Sequence, residues 1–454
     1  NSDLAKNYWK AFYAGIAKCN YLLQNMSRGE DNVAPATYAQ IKAEAQFLRA
    51  LYYSYLIELY GDVPLITDVL TLETGQQPRT PKSEVVDFIL KEYTEAAENL
   101  PSTNNPTSGR ATKGAALALK ARTALYNERW QDAISASQAV IAMEGTEYII
   151  EDDYSKLFKY EGQTSKEVIF SVQYLLGTKV HALYRLFGSR NALAHTNKKP
   201  AYQLADTWEC IDGKQIDKSP MFDPKHPYEN RDPRLGYTLA VSGSEFLGFQ
   251  FETHGDSTKC WNYMTNQRVD NLEATHAYAT FTGICWRKYA NIEDKDALND
   301  CDMNTILIRY PEVLLTYAEA KIKAGEIDAS VLEAINKVRQ RPSVKMPPIT
   351  TTDPNELFYA VARERKYEFS GEGLRLFDIR RWKIAETVMN QPLLGRMKKS
   401  YPDKAPRIDE WGTAFYEGIP IAESGESADF KMRVVDIRKF DKNRDYLWPI
   451  PYNQ

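Results

Sequence analysis

The densest run of chemistry-bearing side chains lies between Glu368 and Trp382. Glu372, Arg375, Asp378 and Arg381 follow at steps of three, which on a helix puts neighbours on a shared face. Two carboxylates held together would suit acid–base work. The interleaved arginines argue otherwise, because a guanidinium has no proton to exchange near neutral pH. The block reads as an ion network that ties the last helices together over Trp382. Carboxylates elsewhere are numerous. A glycosidase needs an acid and a base or nucleophile at a set separation, which spacing along a chain does not display. The sequence holds no H-E-x-x-H, G-x-S-x-G, phosphate-binding P-loop or G-x-G-x-x-G pattern, and nothing in it calls for a cofactor.

A second kind of chemistry is recognition by stacking. Sugars present C–H faces to aromatic rings and hydroxyl rims to planar polar groups, so a glycan surface needs Trp or Tyr beside Asn, Asp, Arg or His. Two stretches have that make-up. Residues 181–195 carry Tyr184, Phe187, Arg190, Asn191 and His195; residues 254–278 carry His254, Trp261, Asn262, Tyr263, Arg268 and Tyr278. The competing role for each ring is to pack a small local core. Trp261 and Tyr263, with their polar neighbours, are the leading candidates. The five Cys and five His are scattered without a CxxC, so clustered zinc ligands are not expected, and most thiols read as reduced and inert.

These stretches need elements to hold them. Trp9, Phe12, Ile16, Cys19 and Leu23 fall at steps of three or four, as do Ile41, Ala45, Leu48, Tyr52, Tyr55 and Leu59. Each set makes one apolar helical stripe. The second helix should stop at Gly61–Pro64, and a third, carrying Val85, Ile89, Tyr93, Ala96 and Leu100, at Pro101. Residues 112–143 read as a helix pair whose Ala115, Ala116, Ala118 and Ala121 allow close approach, in the manner of a tetratricopeptide hairpin. A second pair spans 311–341. Helix returns at 355–369 and again over 374–387, and the tail from Pro392 is irregular. Between the pairs, Val168–Val172 has strand composition. After it the helical period gives way to Gly, Asp, Asn, Pro and aromatics, too aromatic for disorder. The expected fold is mostly α with little β, in three parts: an N-terminal helical scaffold (1–167), a loop-rich aromatic insert forming the candidate ligand surface (168–304), and a C-terminal helical pair with a closing irregular segment (305–454). The three together read as one compact unit.

The chain has 454 residues and a formal net charge of −4, which argues against a nucleic-acid footprint. No apolar run is long enough to span a bilayer as a helix. Its 29 Tyr outnumber the 17 Phe and 8 Trp together. Many of them, including Tyr13, Tyr52, Tyr55, Tyr93, Tyr126 and Tyr317, fall on helix stripes as core residues with a wet tip. The start at Asn1 shows no Met and no signal-peptide pattern, so compartment is not legible from this end.

Several blocks together resemble the SusD/RagB family of nutrient-binding outer-membrane lipoproteins of Bacteroidetes. They are AEAQFLRA at 43–50 with YGDVPL at 60–65, GRATKGAA at 109–116, NRDPRL at 230–235, RYPEVLLTYAEA at 309–320, the charged block with Glu364, Arg365, Glu368, Phe369, Glu372 and Asp378, and LWPIP at 447–451. Gln46 stands where the family usually has a basic residue. The resemblance implies a SusD-like scaffold and non-catalytic binding of oligosaccharide at the cell surface. It also implies delivery to a SusC-like TonB-dependent transporter, and an outer-membrane location through an N-terminal lipid anchor that this chain does not contain. A peptide-binding member of the family and a helical protein–protein scaffold are the alternatives; a glycoside hydrolase is disfavoured.

Overall fold

The computed structural model describes residues 2–451. Five helices come first: α1 Ser2–Asn25, α2 Pro35–Tyr60, α3 Lys82–Asn99, α4 Lys113–Tyr126 and α5 Trp130–Ile141. After the insert come α6 Tyr310–Ala324, α7 Ala329–Arg339, α8 Pro354–Phe369, α9 Arg375–Arg381 and a short α10 Ala385–Met389. The helix stops fall where the sequence places them. Gly61 follows α2 at φ 78°, a conformation that costs glycine little. Thr112 starts α4 by accepting the Ala115 amide on its side chain, a cap that typically contributes about 1 kcal/mol.

Each helix packs on the next, from α1 through α5. The alanine stripe of α4 is fully buried, and α4 touches α3, α5 and α6. The expectation of two helix pairs separated by an insertion is sharpened here. In space the pairs are adjacent, because α5 packs directly on α6 and α6 on α7. Arg122 of α4 fixes this junction: its Nε and Nη2 each donate at 2.6 Å to the two oxygens of Glu312 on α6. The helical stack therefore runs on as though the insert were absent.

The insert leaves and rejoins this stack at one place. Its entry strand, Val168–Val172, pairs antiparallel with Thr305–Arg309, the segment that leads into α6. Inside the insert, expected to be loop-rich with little β, there is a four-stranded antiparallel sheet in the order Glu245–Phe246, Phe249–Gln250, Lys259–Asn262, Gln267–Asp270. The tail also carries small strand pairs, Leu393–Gly395 with Arg433–Asp436 and Arg407–Ile408 with Ala414–Phe415. It ends by returning to the start: the Trp448 amide donates to Leu59 O at 2.7 Å, and its ring meets Tyr8 and Tyr60.

Two local expectations are corrected. The helix read over 374–387 is broken after Arg381 and resumes only over Ala385–Met389. Lys383 at the break has φ 58°, and the Trp382 indole is drawn to Glu319 Oε1 at 2.8 Å. Glu372 does not share a face with Arg375. It sits between Gly371 and Gly373, both at φ 85°, and turns to Arg309 and Lys288 instead. Of the helix-stripe tyrosines, Tyr93 and Tyr126 are wholly inside the core, so their tips are not wet. Tyr13 reaches Pro64 O from a partly buried position.

Candidate functional site

Under the insert lies a buried ion network that fixes it to the scaffold. Glu368 of α8 is its hub. Arg309 Nη1 donates to its Oε1 at 2.5 Å and Arg341 Nη2 at 2.8 Å, while Arg234 Nη1 donates to its Oε2 at 3.0 Å. Arg234 also holds Asp232 and Glu364. Arg309 holds Glu167 and Glu372, Arg341 holds Glu167, and Arg339 bridges Glu364 and Glu209. Lys288 closes on Glu372 at 2.8 Å. Asp378 is shared by Arg365 and Arg381, and Arg381 continues to Glu319. The ion-network reading of the 368–382 block is thus what the structure shows. Burial alone would raise these carboxyls, but the surrounding guanidiniums overcome it and hold Glu368, Glu372 and Asp378 below their usual range. Burial pushes the Lys288 ammonium down to about 8. Glu368, 0% exposed and committed to three arginines, has no open face for a substrate.

Above the network, the two stretches singled out in the sequence meet. The Asn191 amide donates to Asp270 O at 2.8 Å, and its oxygen accepts the Leu272 amide at 3.0 Å. Arg190 reaches Ala194 O at 3.0 Å and His276 Nε2 at 3.4 Å, and its backbone amide donates to Glu273. The polar groups of the first stretch are therefore largely spent on joining the second. Tyr184 is fully buried, with its hydroxyl donating to Ala192 O, and is withdrawn from the surface. Phe187 is half-buried against two small cores and lies near Trp286. His195 is exposed.

The second stretch is a hairpin with Trp261 opposite Arg268 and Asn262 opposite Gln267. Asn262 is buried and caps the turn: its Oδ1 accepts the amides of Met264 at 3.0 Å and Thr265 at 3.2 Å. Asn266 supplies the left-handed residue, at φ 54°. The tip so formed holds Tyr263 46% and Met264 51% exposed. The Tyr263 amide also donates to Gly248 O, joining the tip to the next turn. Trp261 is half-buried on the strand and Arg268 exposed beside it. Tyr278, 70% exposed, stands by His276 at 5.7 Å. His254 is half-buried and accepts the Asp256 amide on its ring.

Tyr263 and Met264 line a cavity of about 770 Å³ together with Phe246, Leu247, Tyr237 and Phe158 and the charged Lys159, Arg287 and Glu293. Arg287 lies over the Phe246 ring at 5.4 Å and donates to Ser244 Oγ at 3.1 Å. The arrangement offers apolar faces together with polar groups, suited to a ligand with both. Phe158, Tyr237 and Arg287 are not among the residues chosen from sequence. Phe158 lies outside the insert as bounded, and no local pattern marks it or Tyr237. Arg287, beside Trp286, satisfies the same ring-plus-polar rule that picked out Trp261. Among the described residues no group of three or more His, Cys, Asp or Glu is placed to hold a metal, and no helix is long and apolar enough to cross a membrane.

Residues 166–454 match the family described as the SusD family. The chain belongs to the SusD family. Residues 1–125 match a further family described as "Starch-binding associating with outer membrane". Among curated SusD-like relatives, one from Formosa agariphila is 24% identical over 397 residues, covering 83% of this chain and 70% of that one. A solved SusD-like carbohydrate binding protein from Bacteroides fragilis superposes with a TM-score of 0.81 at 31% identity, over 98% of this chain and 83% of its own. A second SusD-like structure from the same species gives 0.75 at 27% identity, over 99% and 83%.

Proposed function

We propose that this SusD-family protein binds oligosaccharide at the insert, without breaking a bond, and passes it to a SusC-like TonB-dependent transporter of the outer membrane. The observation that carries the reading is the hairpin tip. A structural cap, Asn262, holds Tyr263 and Met264 at a cavity that charged side chains also line. A ring supported from beneath can stack on a sugar without paying for its own ordering. The similarity to a carbohydrate binding protein from Bacteroides fragilis supports a saccharide as ligand. The family description supports the outer membrane as the place, and display on the outer surface through a lipid anchor belongs to the same proposal. In this division of labour the helical stack faces the transporter and the insert faces the ligand. Trp261, Arg268 and Tyr278 would extend the surface around the tip.

The test is calorimetric titration against a panel of neutral and acidic oligosaccharides, with peptides as a parallel arm and product analysis by chromatography. Binding of one glycan class without cleavage is expected. Tyr263→Ala should weaken it by roughly tenfold, the order of one lost stacking contact, with thermal stability unchanged. Saturation by peptides and by no glycan would replace the sugar with a peptide ligand, and release of shortened glycan would make the protein a hydrolase.

A further inference from the structure

A second cavity, of about 520 Å³, lies between the insert and the C-terminal segment, lined from one side by Glu273–Gly283 residues and from the other by Arg396, Lys398, Lys399, Asp429 and Arg433. Its charge is not balanced. Arg396 is 4% exposed. Its Nε donates to Met397 O at 2.8 Å, and its Nη1 donates to Thr253 Oγ1 at 2.9 Å and Ser242 Oγ at 3.2 Å. All of these partners are neutral, Nη2 makes no hydrogen bond, and the guanidinium lies over the Tyr401 ring at 4.6 Å. Its stem passes over Gly283, at φ 83°, where any side chain would collide with it. The arginines of the ion network each meet carboxylates; this one meets none among the described residues. A buried guanidinium without a counter-charge is costly.

The neighbouring groups add to the excess. Arg433 lies over one Phe281 ring contact at 4.4 Å and Lys199 over the same ring at 4.1 Å, and neither has a carboxylate partner among the described residues. The acids nearby are committed elsewhere. Glu273 accepts the backbone amides of Arg190 and Thr280, and Asp256 and Asp429 both hold Lys399. What is left is a roomy, mainly polar recess with a buried guanidinium that meets no carboxylate in its wall and Arg433 over Phe281, a ring that Lys199 also approaches.

We propose that this recess takes the carboxylate or sulfate of an acidic saccharide, with Arg433 as its principal ligand and Arg396 as a buried positive charge behind it. An oxyanion in the recess would take charge-assisted bonds from Arg433, which are the stronger kind, and would set a counter-charge beside the buried Arg396 guanidinium. Phe281 would give the adjoining sugar ring an apolar face. The inference rests on the glycan-binding reading and names the class of glycan.

The experiment titrates the full chain with uronate-containing, sulfated and neutral oligosaccharides of matched length, at low and high salt. The variants are Arg433→Gln with Lys199→Gln, both half-buried at the surface, and Arg396→Met, with thermal melts as the folding control. Acidic saccharides should bind at least roughly tenfold tighter than neutral ones. The double variant should remove that preference while leaving the fold and the neutral glycans unaffected. Preference for uronate alone or for sulfate alone supports the proposal and identifies the anion. Equal binding of neutral and acidic saccharides, or an undiminished preference in the double variant, overturns it and leaves the glycan reading standing. Failure of every saccharide, charged or neutral, overturns both.

Discussion

Glu368→Gln should destabilise the protein by about 3 kcal/mol, and the figure follows from what the side chain holds. Removing one member of a buried ion pair typically costs ~3–5 kcal/mol, because its partner charge is left uncompensated. Glu368 has three guanidinium partners, yet each keeps another carboxylate: Arg341 has Glu167, Arg309 has Glu167 and Glu372, and Arg234 has Asp232 and Glu364. The residual compensation places the cost at the lower end of that range. Glutamine adds a specific conflict, since its NH2 must face an arginine donor on one side or the other. The assay is the urea midpoint, with Arg110→Gln as the control. Arg110 pairs with Glu44 at 2.8 Å on the surface, and an exposed pair of this kind contributes at most ~1 kcal/mol. The order of the two variants is the test. A Glu368→Gln midpoint no lower than that of Arg110→Gln would refute the claim that the network fastens the insert to the helical stack.

Three further outcomes are expected. Glu368, Glu372 and Asp378 titrate below their ordinary values in the folded chain; the unfolded chain therefore takes up protons first, and stability should be full above about pH 5 and fall progressively as the pH drops through the usual carboxylate range and below. Urea midpoints from pH 7 to pH 3 check this, and a flat profile would contradict it. Asn262→Ala should remove both turn-capping bonds, cost ~1–2 kcal/mol and lower glycan affinity through misplacement of Tyr263, whereas Asn262→Asp, which keeps the acceptor, should retain both. Cys19, Cys210, Cys260, Cys285 and Cys301 are all buried and unpaired, and burial pushes the thiols of Cys19 and Cys301 up to about 11. A thiol reagent should therefore label the native protein slowly and all five sites rapidly in denaturant.

The helices were legible because their information is local. The stripes of α1 to α5, the stop at Gly61 and the strand Val168–Val172 each depend on residues within a few positions of one another. The network was legible in kind but not in wiring. Nothing in the spacing of Glu372 and Arg375 reveals that Gly371 and Gly373 turn the glutamate towards Arg309, which lies far back in the sequence. The site was legible as a composition. Asn262 reads the same as a ligand contact or as a turn cap until the register of the hairpin is known. Tyr184 and Tyr263 share a side chain and part company only through burial. Phe158 and Tyr237 reach the cavity from distant segments, which no pattern along the chain encodes.

The pairing of Val168–Val172 with Thr305–Arg309 has a consequence for how such proteins diversify. Because the chain departs and returns at one short ribbon, the entropy of closing the loop varies only slowly with its length. The helical stack, already joined through Arg122 and Glu312, imposes little on what lies between. The interchangeable part still needs a plug that fits the socket. Here the plug is Glu209, Asp232, Arg234 and Lys288, and the socket is Arg339, Glu364, Glu368 and Glu372. A foreign insert grafted at the ribbon with those four residues in register would keep its seat and bring its own specificity; the same graft without Arg234 and Lys288 would leave Glu364, Glu368 and Glu372 to the scaffold arginines alone and lose the ties across the seam.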